Sequence, residues 1–166
     1  KPFTGVAFTY LGIFYVAVPF SLLNLAVFSV DAVYHYEILI GCLLILWASD
    51  TGAYFAGTKF GKTKLFERVS PKKSWEGFLG GAFSAIAVSF VISQYFTVIA
   101  DWKWLVIAGI IIIAGTYGDL IESLFKRSIE IKDSGKGLPG HGGFMDRFDG
   151  LLLSAPFITA FLKIFQ

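Results

Sequence analysis

Charged residues are scarce in this 166-residue chain: they make up 16% of it, against 55% that are hydrophobic. A soluble domain usually carries about 25% charged residues and about 45–50% apolar ones. A single cysteine excludes a small secreted domain held together by disulfides. The 18 phenylalanines exclude an intrinsically disordered chain, because such chains are poor in aromatic residues. The remaining class with this composition is a polytopic membrane protein.

Five hydrophobic segments predict the membrane spans. They lie at about Phe3–Val30, Tyr36–Ala56, Trp75–Ala100, Trp102–Phe125 and Leu151–Phe165. A helix needs about 20 apolar residues to cross a bilayer, which the three middle segments provide. Pro19 is expected to kink or split the first segment, and the short fifth segment contains Pro156. We therefore predict an all-α polytopic transmembrane helical bundle with about five membrane segments, forming a single integral-membrane domain over residues 1–166.

Basic residues are concentrated in two of the loops between these segments. Of the 14 Lys and Arg residues, six lie between Lys59 and Lys73 and five between Lys126 and Arg147. The connections at residues 31–35 and 101–103 carry at most one. By the positive-inside rule, both basic loops should face the cytoplasm, and in a bacterium the protein should reside in the inner membrane. Because the clusters separate hydrophobic spans, nucleic-acid binding is not expected.

Small residues recur at four-residue spacing within the predicted spans. The three rows are Ser49, Ala53 and Gly57; Gly77, Gly81 and Ala85; and Ala114 and Gly118. Such rows let helix backbones approach closely where hydrophobicity cannot drive association. We predict that they pack helices together and have no chemical role.

Acidic residues lie at the span ends on the predicted cytoplasmic side. Asp119 and Glu122 are three residues apart, so a helix puts both on one face. Asp146 and Asp149 repeat that spacing where the chain re-enters the membrane. Carboxylates gathered together repel each other unless cations intervene, and hard oxygen ligands favour Mg²⁺. Simple pairing of each acid with an interfacial Lys or Arg is the open alternative.

The first basic loop contains a candidate phosphate site. Ser70 is expected to cap the following helix, with Pro71 in its first turn. Lys72 and Lys73 would then lie at the amino end of that helix, where the dipole and free N–H groups favour an anion.

The second basic loop is rich in glycine, at positions 135, 137, 140, 142 and 143. Ordering that many glycines is entropically unfavourable, which suggests close backbone approach to a bulky anion. Arg127 and Arg147 can each form two hydrogen bonds to phosphate. His141 could bind phosphate, carry a proton, ligate metal or simply satisfy a turn carbonyl.

This second loop resembles the signature of the phosphatidate cytidylyltransferases (CDP-diacylglycerol synthases). Between Ser123 and Asp149 stand Ser-x-x-Lys-Arg, Lys-Asp, Leu-Pro, His-Gly-Gly and Asp-Arg-x-Asp in order. The upstream blocks Ser-Asp-Thr-Gly-Ala-Tyr, Phe-Gly-Lys and Ser-Pro-Lys-Lys-Ser-Trp-Glu-Gly are similar to the family's other recurrent blocks. The resemblance covers about residues 47–155. Family members have further amino-terminal helices, so we expect the chain to be the C-terminal portion of a longer protein.

The resemblance implies transfer of CMP from CTP to phosphatidic acid in a membrane, with Mg²⁺ and in some arrangements a second cation. It is also compatible with a homodimer. Related membrane proteins that phosphorylate polyprenols with CTP, or that load CMP onto ether lipids, are alternatives within enzymes. A transporter is a weaker alternative, because the charged residues cluster on one side.

On this basis the candidate site residues are assigned as follows. Metal ligands are Asp119 and Asp146 first, with Asp149 and Glu122 as secondary candidates. Catalytic residues are Asp119, Asp146, Lys126, Arg127 and Arg147. Substrate-binding residues are Asp50, Ser70, Lys72, Lys73, Lys132, His141, Gly142 and Gly143.

Overall fold

The structure is a computed structural model that describes residues 2–28, 33–67, 69–128, 130–131, 135, 143, 146 and 148–165. Its helices are α1 (Pro2–Gly12), α2 (Val18–Ala26), α3 (Tyr36–Phe60), α4 (Trp75–Tyr95), α5 (Asp101–Ile110), α6 (Thr116–Ser128) and α7 (Asp149–Ile164). A π-helical turn over Ile13–Ala17 joins α1 to α2, and a second over Ile111–Gly115 joins α5 to α6. Strands β1 (Lys64–Phe66) and β2 (Ser70–Ser74) form an antiparallel hairpin.

Four helical stretches are long and apolar enough to cross a membrane. They are Phe3–Ala26, Tyr36–Phe60, Trp75–Tyr95 and Asp101–Ser128. The polytopic helical bundle is therefore confirmed. The fifth predicted segment is the 16-residue helix α7, which contains Pro156 and is shorter than the other four. The count of five membrane segments stays a prediction.

Pro19 explains the interruption of the first span. Proline has no backbone N–H, so the carbonyl of Tyr15, four residues earlier, lacks its α-helical donor. The chain adopts the wider π-helical turn at Ile13–Ala17, and α2 follows with Pro19 at its second residue. The predicted interruption is confirmed, although the stretch still forms one candidate span.

Rows of small residues bring α3 and α4 together. A Cβ atom added to Gly81 would lie 2.8 Å from the carbonyl oxygen of Ser49 and 3.1 Å from the Cβ of Ala53. One added to Gly77 would lie 3.2 Å from the Cα of Gly57. Spacing this tight leaves no room for a side chain at either glycine. The predicted close approach is confirmed, and it fixes where the hairpin between the two helices lies.

The third row has the same function between α6 and α7. A Cβ atom on Gly118 would lie 2.6 Å from the carbonyl oxygen of Asp149 and 3.1 Å from the Cβ of Leu153. The end of the fourth span is thereby held against the beginning of α7. This contact brings two acid-bearing stretches, separated in sequence, to one end of the bundle.

The hairpin corrects the prediction for the first basic loop. Ser70, Pro71, Lys72 and Lys73 lie in β2 and not at the start of a helix. The residue before a proline is disfavoured in the helical region, so Ser70 is extended and the chain reaches α4 later than predicted. The cap is Ser74, whose side-chain oxygen accepts a hydrogen bond from the backbone N–H of Gly77 at 3.1 Å.

At the end of the bundle opposite the hairpin, two lysines form hydrogen bonds with backbone carbonyl groups. Lys103 Nζ donates to the carbonyl oxygen of Phe165 at 2.6 Å, and Lys163 Nζ donates to that of Phe28 at 2.8 Å. Trp104, fully buried between the helices, donates its indole N–H to the carbonyl oxygen of Phe96 at 3.0 Å. Lys103 and Lys163 therefore complete backbone hydrogen bonding at this end.

Candidate active site

Six charged side chains lie at the hairpin end of the bundle and form what we call the acid–lysine cluster. They are Lys73, Asp119, Glu122, Lys126, Asp146 and Asp149. They come from β2, α6, the chain before α7 and α7 itself. All four acids predicted as metal ligands are in this group, together with Lys73, predicted to bind substrate, and Lys126, predicted to be catalytic.

Lys126 connects two of the acids. Its Nζ lies 2.7 Å from Asp146 Oδ1 and 3.7 Å from Glu122 Oε2, and its side chain is 15% exposed. Glu122 precedes Lys126 by four residues, which places both on one face of α6. The second carboxylate oxygen of Asp146 accepts a hydrogen bond from the backbone N–H of Gly143 at 2.7 Å. Predicted residues from both sides of the glycine-rich loop therefore converge on Asp146.

Lys73 brings the hairpin into the cluster through an ion pair with Asp119. Ser123 Oγ donates to the other oxygen of Asp119 at 3.4 Å, one turn further along α6. Successive side chains of a strand point to opposite faces. Lys73 is accordingly half-buried toward the bundle, whereas Lys72 beside it is exposed.

Asp149 is the first residue of α7 and lies outside the four candidate spans. Its Oδ1 accepts a hydrogen bond from the backbone N–H of Gly150 at 2.6 Å, and its carboxyl shares a hydrogen bond with that of Glu122. Burial, together with the negative charge of Asp119 and this hydrogen bond, raises the pKa of Asp149 to about 8. A carboxyl that keeps its proton can hydrogen-bond to a second carboxyl.

Two buried oxygen atoms at the cluster have no hydrogen-bond partner among the described residues: Glu122 Oε2 and the hydroxyl of Tyr15. Glu122 is 5% exposed, and its nearest cation is Lys126 at 3.7 Å. Tyr15 comes from the π-helical turn of the first span and was not predicted as a site residue. A tyrosine within an apolar helix has no distinguishing sequence signal, so only the contact of its ring with that of Phe125 on α6 identifies it.

The four carboxylates suit a hard divalent cation by donor type. In the described part of the chain, however, no three His, Cys, Asp or Glu residues form a group ready to hold a metal ion. Instead, Lys73 and Lys126 neutralise the acids, which is the pairing left open by the sequence. The buried Glu122 Oε2, which lacks a hydrogen-bond partner among the described residues, is the feature that fits an additional cation.

The structure describes three further predicted site residues. Asp50 is exposed on α3, and Ser70 is partly buried in β2. Arg127 is exposed, and its Nη1 donates to the carbonyl oxygen of Ile131 at 3.5 Å. Their assigned roles stay predictions. The remaining predicted residues lie outside the described ranges: Lys132, His141, Gly142 and Arg147.

Glu76 belongs to the hairpin's framework. Its carboxylate accepts hydrogen bonds from the backbone N–H groups of Lys62 at 3.2 Å and Thr63 at 3.1 Å. These bonds tie the beginning of the first basic loop to the start of α4. Glu76 therefore holds the chain that enters β1, the strand paired with the one that carries Lys73.

The model of the cytidylyltransferase family matches residues 1–165. The chain belongs to the cytidylyltransferase family. The resemblance stated from the sequence is thus confirmed, and the match reaches beyond residues 47–155 into the first span. Tyr15 lies within this added region.

Several curated proteins of this cytidylyltransferase family are similar to the chain. The phosphatidate cytidylyltransferase of Haemophilus influenzae is 40% identical over 147 residues, which is 84% of this chain and 50% of that protein. That of Staphylococcus saprophyticus is 39% identical over 86% of this chain and 58% of its own length. That of Brucella suis is 38% identical over 93% of this chain and 56% of its own length. The chain therefore spans about half to three fifths of these relatives.

Proposed function

We propose that this chain carries the reaction centre of a phosphatidate cytidylyltransferase, which transfers CMP from CTP to phosphatidic acid and releases pyrophosphate. The observation that supports this most is the acid–lysine cluster at one end of an apolar bundle. Its residues are distant in sequence, and Lys126, Asp146 and Asp149 belong to the signature between Ser123 and Asp149. The similar proteins of Haemophilus influenzae and Staphylococcus saprophyticus are named for this activity. We place the cluster at the cytoplasmic face, where CTP is available.

The reaction joins two anions, and the cluster supplies the charge that this requires. A phosphate oxygen of phosphatidic acid attacks the α-phosphorus of CTP and forms a new P–O bond. The bond between the α-phosphorus and the bridging oxygen breaks, and pyrophosphate leaves with that electron pair. The lipid phosphate is already ionised near neutral pH, so no strong general base is needed. Lys73 and Lys126 would bind phosphate oxygens and reduce the repulsion between the reactants.

Asp119 and Asp146 would hold Mg²⁺, with Glu122 and Asp149 completing its surroundings or holding a second cation. When bound, Mg²⁺ neutralises phosphate charge and aligns the phosphates for in-line displacement. The lysine pairs of Asp119 and Asp146 show that each carboxylate already faces a cation. If these oxygens held Mg²⁺, Lys73 and Lys126 would be available to contact phosphate.

The substrates and the assembly remain proposals at the level of the whole protein. Membrane lipid would surround the exposed apolar side chains of the bundle, such as Phe83 at 76% exposure and Phe90 at 61%. A homodimer is compatible with the family. Nucleic acid is not proposed as a partner, since the basic residues serve the ends of membrane spans.

The deciding experiment measures which phosphate of CTP is transferred to the lipid. The protein in detergent is incubated with phosphatidic acid and with CTP labelled at either the α- or the γ-phosphate, with and without Mg²⁺. The same assay is run on a form extended to the length of the relatives. Label from the α-phosphate in the lipid, with pyrophosphate as the second product, is expected. Label from the γ-phosphate would instead indicate a kinase, and ether lipids or polyprenols as the preferred acceptors would contradict phosphatidic acid.

The variant Asp146→Asn tests the metal assignment. We expect CMP transfer to fall by about 100-fold or more, because the neutral amide is a poor Mg²⁺ ligand and a poor partner for Lys126. Asp101→Asn is the matched control, since Asp101 is exposed at the first residue of α5, at the other end of the bundle. Near-normal turnover of Asp146→Asn with Mg²⁺ would show that the assignment is wrong.

A further inference from the structure

Tyr15 brings a hydroxyl group from the membrane interior to the acid–lysine cluster. Its hydroxyl is buried and has no hydrogen-bond partner among the described residues. It lies within electrostatic range of Glu122, Asp149 and Asp119, in that order of effect. Buried polar groups are normally satisfied, so a hydroxyl donor without a partner beside these acids indicates that an acceptor binds there.

The Tyr15 ring is positioned by packing. It meets the ring of Phe125 edge to face, with centroids 5.5 Å apart and an interplanar angle of 88°. Phe125 follows Glu122 by three residues on α6, so the ring and the carboxylate are presented on neighbouring parts of one helix. Tyr15 lies in the π-helical turn at Ile13–Ala17. Turns of this kind are frequent at functional sites.

We propose that the Tyr15 hydroxyl donates a hydrogen bond to a phosphate oxygen of the lipid acceptor bound at the acid–lysine cluster. This inference rests on the proposed function and extends its site to the first span. Tyrosine is a donor at neutral pH, and an anionic phosphate oxygen is a stronger acceptor than a neutral group.

The direction of approach favours the lipid over CTP. Lys73 reaches the cluster from the hairpin, which lies outside the membrane spans. Tyr15 reaches it from within the apolar span Phe3–Ala26, next to Phe14, which is 65% exposed. A group that contacts both the cluster and this helix therefore has one side in the apolar layer. The phosphate of a membrane-anchored lipid meets that condition, whereas a free nucleotide comes from the water.

The test uses Tyr15→Phe, which keeps the ring on Phe125 and removes only the hydroxyl. The purified protein is reconstituted into phosphatidylcholine nanodiscs, and its binding of added short-chain phosphatidic acid, or of short-chain phosphatidylcholine, is measured first, without CTP. We expect selectivity for phosphatidic acid to fall by about 10-fold or more in the variant, as for a lost hydrogen bond to a charged group. In steady-state assays KM for phosphatidic acid should rise similarly, with KM for CTP unchanged. Tyr10→Phe is the control, since Tyr10 lies on the same span at 58% exposure.

The possible results distinguish a failure of the Tyr15 inference from a failure of the proposed cytidylyltransferase activity. A purely structural Tyr15 predicts unchanged lipid selectivity in Tyr15→Phe with equal or higher thermal stability, because a buried hydroxyl without a partner is removed. That result, or a rise in KM for CTP alone, would overturn the inference and leave the proposed function standing. Absence of α-phosphate transfer in the unchanged protein would reject the function. The nanodisc measurement would then still decide whether Tyr15 recognises the lipid phosphate.

Discussion

Removing the amino group of Lys126 should destabilise the bundle measurably, even without substrates. In Lys126→Met the carboxylates of Asp146 and Glu122, which lie 2.7 and 3.7 Å from Nζ, lose their shared cation. Breaking a buried ion pair from one side costs about 3–5 kcal/mol. The side chains of Lys126 and Asp146 are 15% and 13% exposed, so burial is incomplete. We therefore expect a loss of about 2–3 kcal/mol in the free energy of unfolding.

A double-mutant cycle measures the interaction free energy between Lys126 and Asp146. Asp146→Asn alone leaves Lys126 with Glu122, so its cost should be smaller, about 1–2 kcal/mol. Lys126→Met leaves two carboxylates without their cation, whereas the double variant Lys126→Met/Asp146→Asn leaves only that of Glu122. Its cost should fall short of the sum of the single changes by about 1–2 kcal/mol.

The assay is thermal or denaturant unfolding in one detergent at low and high salt. A loss of 2–3 kcal/mol corresponds to a fall in Tm of about 5–10 °C for a chain of this size. Lys64→Met is the matched control, since Lys64 is exposed in β1, and it should change Tm little. A Lys126→Met protein as stable as the parent, or a cycle that is additive, would refute the view that Lys126 neutralises these acids.

Two further predictions concern packing and capping. Gly81→Ala should lose about 1–3 kcal/mol of stability, because its Cβ would lie 2.8 Å from a backbone oxygen of α3. Gly109→Ala, where a Cβ meets no atom within 4 Å, should be neutral or stabilising, and equal Tm values for the two would contradict the packing account. Ser74→Ala should cost about 1 kcal/mol through loss of the α4 cap, with Ser74→Thr largely restoring it in the same unfolding assay.

The helical bundle was predictable because the determining signal extends over whole segments. Long apolar runs must satisfy their own backbone hydrogen bonds in lipid, and helices do so within one segment. The small-residue rows were equally informative, since a fixed four-residue spacing maps directly onto one helix face. Gly77 and Gly81 do meet the α3 row as that spacing predicts.

The first basic loop shows where local reasoning failed. Both Ser70 and Ser74 can cap a helix, and the proline after Ser70 suggested the earlier one. The competing preference of a residue before proline for extended backbone prevailed, and the hairpin formed instead. Pairing of β1 with β2, and the hold of Glu76 on Thr63, depend on contacts that no single-residue preference contains.

The sequence predicted that the four acids lie near one end of the bundle, where the structure brings them together, but their partners were not fixed by the sequence. Spacing alone placed Asp119 beside Glu122 on one face of a helix. It could not show that Lys73 would reach Asp119 from β2, or that Lys126 would lie between Glu122 and Asp146. Such contacts depend on how α6, α7 and the hairpin pack.

These pairings resolve a conflict between insertion and catalysis. A charged side chain at a helix centre in the membrane costs about 2.5–3.5 kcal/mol on insertion scales, and four acids near one span end would also repel each other. With Lys73 on Asp119 and Lys126 between Glu122 and Asp146, much of that charge is neutralised before any substrate binds. Under the proposed function, phosphate and cation would meet charges that are already paired, so neither would have to desolvate an isolated charge. The lysines that neutralise the acids at the bundle end would then also be the groups that contact the reacting phosphates.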